Sequence, residues 1–459
     1  MIHVWIDIVE TCGYNKNIKY IISHTWNYIN QNYIIMELHR AYFHDYIIAI
    51  QIYRHHKEAL KEENQVIILR NCRLIKELTE GFSGNYADIL IEDKYLKEIR
   101  EPGHNFNVEC QEIDVQNKTV MPGLMDIHAH FNLLSQNILE MLTQDPATAA
   151  FEGYAFAKEY LRQGYTTVRD CGSSYSVGNA IRDAINKGTI EGPRVISSGQ
   201  IITPTENGNN CFERMYTEAD GTDEVQKTCR RLFQEGADFI KYMATGAFYN
   251  DGGVPGQTIV TLDELKTAVA VAASKDTYVA THCHGTEAIK LVMEAGVRTI
   301  EHGSLIDDEG INLLKNNKNC YMVPTIAIDK VPYDNPSQIP DYMWDKINTL
   351  TEVSHKCIKK AYKAGLTLGW GSDLDFENFK KTPGYEFTAR KEMLGFDNID
   401  MLIQATKNSA EIVMLDDKLG IVAEGKYADL IVADGNPDED IYVMKRDLVH
   451  VMKEGKIVY

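Results

Sequence analysis

Five histidines, a lysine and an aspartate lie in or at the ends of apolar, β-forming runs, where side chains from different strands can converge. His128 and His130 close the run GLMDIHAH. Two apart on a strand, they leave the same face and can reach one ion. His282 and His284 close YVATHCH with the same spacing, His302 closes RTIEH, and Asp373 closes LTLGWGSD. Imidazole suits zinc and similar divalent cations, and a carboxylate beside it can act as ligand and as proton acceptor. Taken alone, an HxH pair is more often surface or core, and an Asp after a strand is by default a helix cap. Recurrence at successive strand ends gives the set its metal-binding sense. His282 ranks ahead of His284, which shares its face and is a competing ligand or a substrate contact.

Lys241, inside the apolar run GADFIKYMATG, decides how many ions the set would hold. A bare ammonium there would be costly to bury and would repel a metal cation. Carboxylation by CO2 converts it to an anionic carbamate whose two oxygens can bridge two ions. The competing reading is a lysine that snorkels from the strand to solvent. Arg169 and Asp170 end YTTVRD, and alternation lets only one of them face inward. Arg169 is a candidate for binding a substrate carboxylate, with a structural ion pair as the alternative. Tyr249, in the loop 246–257, is a further candidate substrate contact.

The elements that must position these groups follow from periodicity. Residues 121–410 alternate strand-like runs, eight in all (GLMDIHAH, YTTVRD, RVISSG, DFIKYMAT, YVATHCH, RTIEH, CYMVPTIA and LTLGWGSD), with helical patterns such as EVQKTCRRLFQEG and TEAIKLVMEAG. Three of the helical patterns stop at Gly, as a helix C-terminus favours. Eight βα units in about 250–300 residues predict an α/β fold of the TIM (β/α)8 type, whose catalytic groups gather at the C-terminal ends of the strands. Residues 65–120 and 411–459 carry shorter strand-like runs, and YADILIED (from Tyr86) is echoed by YADLIVAD (from Tyr427). They predict one small composite β-sandwich built from both ends of the chain.

Residues 1–64 differ from the rest, with thirteen Ile, seven Tyr and six of the 14 His but one Gly and no Pro. They read either as a helical or disordered extension or as AT-rich sequence upstream of the true start, and no function is drawn from them. The whole chain of 459 residues has 44% hydrophobic and 25% charged residues, an ordinary globular balance. Its net charge of −19 argues against nucleic acid or an anionic membrane as partner. Nine scattered cysteines without a CxxC spacing, no basic leader and no apolar run of the ~18–20 residues that a membrane span needs predict a cytoplasmic protein with reduced thiols.

Together PGLMDIHAH, GYTTVRDCG, GPRVISSG, GADFIKYMATG, VATHCHG, AGVRTIEHG, the GSD of the last strand and KLGIVAEGKYADLIVADGNP resemble the amidohydrolase superfamily, in order, over about residues 66–459. The look is that of the branch with Xaa-Pro and related metallodipeptidases and imidazolonepropionase-like proteins. The resemblance implies two divalent ions, zinc by preference. His128, His130 and Asp373 would hold one and His282 and His302 the other, with carboxylated Lys241 between them. It also implies hydrolysis of an amide in a small-molecule substrate, a dipeptide or N-acyl amino acid, by water activated between the ions, with Asp373 as the proton carrier; homo-oligomers are common in the superfamily. Two rivals stand beside this: a mononuclear imidazolonepropionase-like cyclic-amide hydrolase or deaminase, and a non-catalytic scaffold that has lost its metals. One departure is that ITPTENGNN follows SSGQ where that branch often has a Gly-Gly-His-Gly-like loop, so the substrate is expected to differ from those of its relatives.

If residues 1–64 lie outside the working protein, a chain beginning near Leu60 is expected to fold, bind metal and keep its activity. Loss of activity on truncation, measured against the active full-length chain, would refute that expectation.

Overall fold

The structure, a computed structural model, describes residues 66–135, 143–248, 254–339 and 341–459; the extension 1–64 and Tyr249 lie outside them. Both ends of the described chain meet in one eight-stranded sheet. From the N-terminal side it contains β1 (Val66–Leu74), β2 (Tyr86–Glu92), β3 (Tyr95–Arg100), β4 (Gln111–Asp114) and β5 (Thr119–Pro122), and from the C-terminal side β15 (Leu430–Ala433), β16 (His450–Lys453) and β17 (Lys456–Ile457). The order is β17-β16-β15-β5-β1-β2-β3, with β4 also on β1. The ends are joined where β5 pairs antiparallel with β15, Pro122 opposite Leu430 and Thr119 opposite Ala433. A bulge between Leu69 and Cys72, with Asn71 in the left-handed region at φ 58°, turns β1 from β4 to β5. The two echoed segments bury equivalent aspartates, each held by an arginine at 2.7 Å: Asp88 by Arg70 and Asp429 by Arg194.

Between these ends the chain alternates strand and helix. The strands are β6 (Leu124–Ala129), β7 (Tyr165–Asp170), β8 (Arg194–Ser197), β9 (Ile201–Thr203), β10 (Tyr216–Glu218), β11 (Ile240–Met243), β12 (Val279–Cys283), β13 (Thr299–His302) and β14 (Tyr321–Val323). The main helices are α1 (Pro146–Arg162), α2 (Val177–Asn186), α3 (Gly221–Gln234), α4 (Leu262–Ala273), α5 (Thr286–Ala295), α6 (Asp308–Asn316), α7 (Ala327–Asp334) and α8 (Asp341–Lys363). Local chemistry sets their limits. Asp145 caps α1 by accepting from the N–H groups of Ala147 and Thr148, with Pro146 at the first helical position. Thr261 and Glu264 form a capping box on α4. Gly296 ends α5 at φ 86°, a conformation that glycine adopts without a Cβ clash.

The parallel strands form two ladders, β6-β7-β8 and β10-β9-β11-β12-β13-β14, rather than one continuous ring. Two features mark the breaks. The short β9, not expected as a strand, takes the edge of β11 at Lys241 and Tyr242, so β8 meets this arc through Asp238 N–H donating to Ser197 C=O at 2.8 Å. The eighth run, LTLGWGSD, forms only isolated bridges, Met322 with Leu368 and Thr325 with Gly371, and accepts from Ile127 N–H at Trp370 C=O at 2.8 Å. Its glycines permit a close approach that a side chain would prevent. A Cβ on Gly371 would lie 2.5 Å from the Cβ of His128. No helix among the described residues is long and apolar enough to cross a membrane.

Gly371→Ala is therefore expected to push the eighth run away from His128, costing about 1–3 kcal/mol, the usual range for overpacking. Chemical denaturation measures the loss, and an unchanged midpoint would count against this close approach.

Candidate metal centre

The strand ends bring the expected groups to one place. Cys283 and His302 are register partners across β12 and β13, as are Met243 and His282 across β11 and β12. His302 and Asp373 both have left-handed backbone, at φ 69° and 54°. Such strain costs on the order of 1–3 kcal/mol per residue and has to be held in place by its surroundings. For Asp373 one such hold is its N–H, which donates to His128 C=O at 3.0 Å.

Two clusters gather around His302, beside a third group of His128, Cys171 and Glu301. His282, His284 and His302 converge, with His282 Nδ1 3.0 Å from His302 Nε2. His128, His302 and Asp373 converge beside them, and Asp373 Oδ1 lies 3.8 Å from His128 Nε2 and 3.5 Å from His130 Nε2. His302 belongs to both. Four of the five rings, all but His282, have a partner on Nδ1 outside the imidazole cluster: His128 Nδ1 meets Glu301 Oε2 at 2.8 Å, His130 Nδ1 donates to Gly172 C=O at 2.6 Å, and His302 Nδ1 meets Thr325 Oγ1 at 2.8 Å. His284 Nδ1 meets Ser304 Oγ at 2.8 Å. Partners of this kind fix ring orientation and tautomer for metal binding.

Unpartnered atoms test whether metal fits. Among the described residues His128 Nε2, His282 Nε2 and Lys241 Nζ are buried without a hydrogen-bond partner. Orphaned polar atoms of this sort are costly, and divalent ions among imidazoles and a carboxylate would satisfy the ring nitrogens. Burial, with the Lys241 charge adding to it, holds all five imidazoles below their usual range, His130 and His284 at about 3. Neutral imidazole is the form that binds metal. Burial pushes the Asp373 carboxyl up to about 8, against the pull of Lys241.

Lys241 is 1% exposed on β11, so it does not snorkel to solvent. Arg169 stands in the structural ion pair rather than at a substrate carboxylate. It is fully buried, its NH2 donates to Glu301 Oε1 at 2.7 Å, and its Nε and NH1 donate to Ile127 C=O and Thr299 Oγ1. Asp170 is fully buried too, and accepts from Ser173 and Ser197 hydroxyls at 2.5 and 2.8 Å. Sequence reasoning missed Glu301, which joins His128 to Arg169. Its signal was available: in RTIEH a carboxylate sits inside an apolar strand, the same anomaly that singled out Lys241. Thr325, inside the seventh run CYMVPTIA, gave no such signal.

A cavity opens beside the imidazoles. His282, His284, His302 and Asp373 line it on one side, and Phe248, Ile328, Pro332, Met343, Ile347 and Ile358 give it an apolar wall. Asp329, which accepts from His355 Nε2 at 3.1 Å, is the further carboxylate in its lining.

Sequence comparison agrees with this arrangement. The model described as "Amidohydrolase family" matches residues 119–458, and the chain belongs to that family. Its enzyme class is that of hydrolases acting on carbon–nitrogen bonds. It is 29% identical to the ochratoxinase of Aspergillus niger over 422 residues, 85% of this chain and 83% of that protein. The crystal structure of A. niger ochratoxinase superposes with a TM-score of 0.77 at 28% identity, covering 86% of this chain and 96% of that one. A prolidase complexed with N-methylphosphonate-L-proline also superposes at 0.77, with 29% identity over 86% of this chain and 99% of that one.

Glu301→Gln should expose how far the centre depends on the buried pair. Breaking such a pair typically costs about 3–5 kcal/mol because Arg169 is left uncompensated. Thermal and chemical denaturation should register that loss; a variant as stable as the parent would show that Glu301 is dispensable.

Proposed function

We propose that the protein is a binuclear metal-dependent amide hydrolase acting on a dipeptide or N-acyl amino acid. The observation that carries this reading is the buried, partnerless amine of Lys241 beside two overlapping clusters of imidazole and carboxylate. Carboxylation of that amine would turn a cation that repels metal into an anionic bridge with two oxygens. His128, His130 and Asp373 would hold one ion, and His282 and His302 the other, zinc by preference. His284, with its Nδ1 engaged by Ser304, is assigned to the substrate side. Divalent ions in such a pair acidify a water and polarise a scissile carbonyl.

The chain's own groups do the rest. Asp373 takes the proton of the attacking water and hands it to the leaving nitrogen, so that amide and water become acid and amine. Neutral His284 lies in the cavity lining, where it can donate to the substrate carbonyl. The apolar wall favours an amide with an aliphatic or aromatic side chain and excludes water around the reacting carbon. The relatives with ochratoxinase and prolidase activity support small amide substrates. We read the two parallel ladders as arcs of one TIM barrel over residues 121–410, and the two-ended sheet as a composite β-sandwich domain of 65–120 and 411–459. The eight described cysteines are all free, which supports a cytoplasmic protein.

Zinc-loaded protein prepared with bicarbonate is expected to contain close to two ions per chain and to hydrolyse members of a dipeptide and N-acyl amino acid library. Lys241→Ala should lose metal and rate together, with partial rescue by short carboxylic acids, whereas Lys241→Arg should not be rescued. A fully active Lys241→Arg enzyme holding a single ion would replace this reading with the mononuclear one.

A further inference from the structure

We infer that the buried pair Glu386–Arg390 is a positioning device for His302, acting through Thr325. This inference rests on the metal reading above, and Glu386 and Arg390 themselves lie outside the cavity lining.

His302 is the imidazole common to both clusters, so its orientation matters to both. Its Nδ1 has one partner, the Thr325 hydroxyl at 2.8 Å. When that nitrogen donates to the hydroxyl, Nε2 carries the lone pair and faces His282 Nδ1. Thr325 follows β14 on irregular backbone and makes only an isolated bridge to Gly371. The regular ladder therefore does not define its dihedrals.

The ion pair does. Arg390 NH2 donates to Pro324 C=O at 2.6 Å, gripping the peptide that precedes Thr325. Glu386 accepts from Ile326 N–H at 3.2 Å and from Ala327 N–H at 2.6 Å, gripping the peptide that follows it. Arg390 Nε donates to Glu386 Oε1 at 2.6 Å, so one rigid unit holds both flanking peptide planes. Arg390 NH1 adds Gly369 C=O at 3.0 Å, tying in the run that ends at Asp373. Its guanidinium also lies 4.4 Å from the centre of the Trp370 ring.

Stability alone is a poor reason for this unit. Both side chains are almost wholly buried, and a buried ion pair is often matched or bettered by apolar residues of the same volume. The local helix geometry points the same way. Arg390 opens a π-helical turn (Arg390–Leu394), and Gln404, which accepts from Arg390 NH1 at 2.5 Å, opens another (Gln404–Asn408). Such turns are frequent at functional sites.

Zinc titrated against a chelating dye, together with kcat and KM on any hydrolysed amide, tests the assignment. Thr325→Val removes the hydroxyl and should weaken one zinc site about tenfold or more, the usual range for groups behind a ligand. Arg390→Lys, which keeps the charge but cannot hold the peptides in the same fork, should do the same and lower kcat more than it raises KM. The double variant should be no weaker than the worse single one, because both act on His302 along one route. Thr325→Ser should retain parental affinity. Should Arg390→Lys fail to fold, Glu386→Gln provides the same comparison. Ile431→Val, in the two-ended sheet, controls for lost stability and should leave zinc affinity unchanged. A folded Arg390→Lys or Glu386→Gln with parental zinc affinity, or a double variant whose loss is the product of the single losses, overturns the proposal alone. A parent chain that binds no zinc overturns the metal reading and this proposal with it.

Discussion

The centre depends on one buried carboxylate, Glu301, and on where its two oxygens go. One meets the His128 ring at 2.8 Å and the other takes the Arg169 guanidinium at 2.7 Å. Without the carboxylate, a guanidinium would be buried beside Lys241 and the imidazoles with no anion to offset it. With it, Arg169 is neutralised in place and pins the backbone of β6 through Ile127 C=O. The cost of burying charge near the imidazole cluster is thus met by a pair that also orients a ring.

Chemistry and recognition come from different parts of the fold. The imidazoles and Lys241 issue from strands or strand ends and Asp373 from the bridged eighth run, where backbone hydrogen bonding limits their movement, and rigid elements hold a reactive geometry best. The apolar wall comes from the segment after β11 and from α7 and α8. A wall built in this way can change its side chains without disturbing the cluster of imidazoles and carboxylate, which is how one chemistry serves many substrates.

Much of this was legible in the sequence, because polar residues in apolar runs are costly and so informative. Lys241 stands out on that ground, and the HxH pairs, His302 and Asp373 by recurrence at successive strand ends; the structure brings them together. Seven of the eight expected strand runs contain regular strands; LTLGWGSD forms only isolated bridges, and Gly369 and Gly371 leave room there for the side chains of Ile127, Val323 and His128. What stayed hidden were long-range partnerships. Arg169 carries the same sequence signal whether it binds substrate or Glu301, and only the fold distinguishes the two. Thr325 and the pair Glu386–Arg390 are ordinary in composition, and their role arises from which peptides they grip. Tyr249 lies outside the described residues.

The two-ended sheet also has a consequence for biosynthesis. β5 must wait for β15, roughly 300 residues later in the chain, before its open edge is covered. At typical elongation rates of ~5–20 residues per second that interval is on the order of 15–60 s. Throughout it the nascent chain exposes an unpaired strand edge rich in apolar residues, the kind of surface that seeks other chains. The sheet can be completed only after the parallel strands between its halves have left the ribosome, so vectorial synthesis makes its closure a late event.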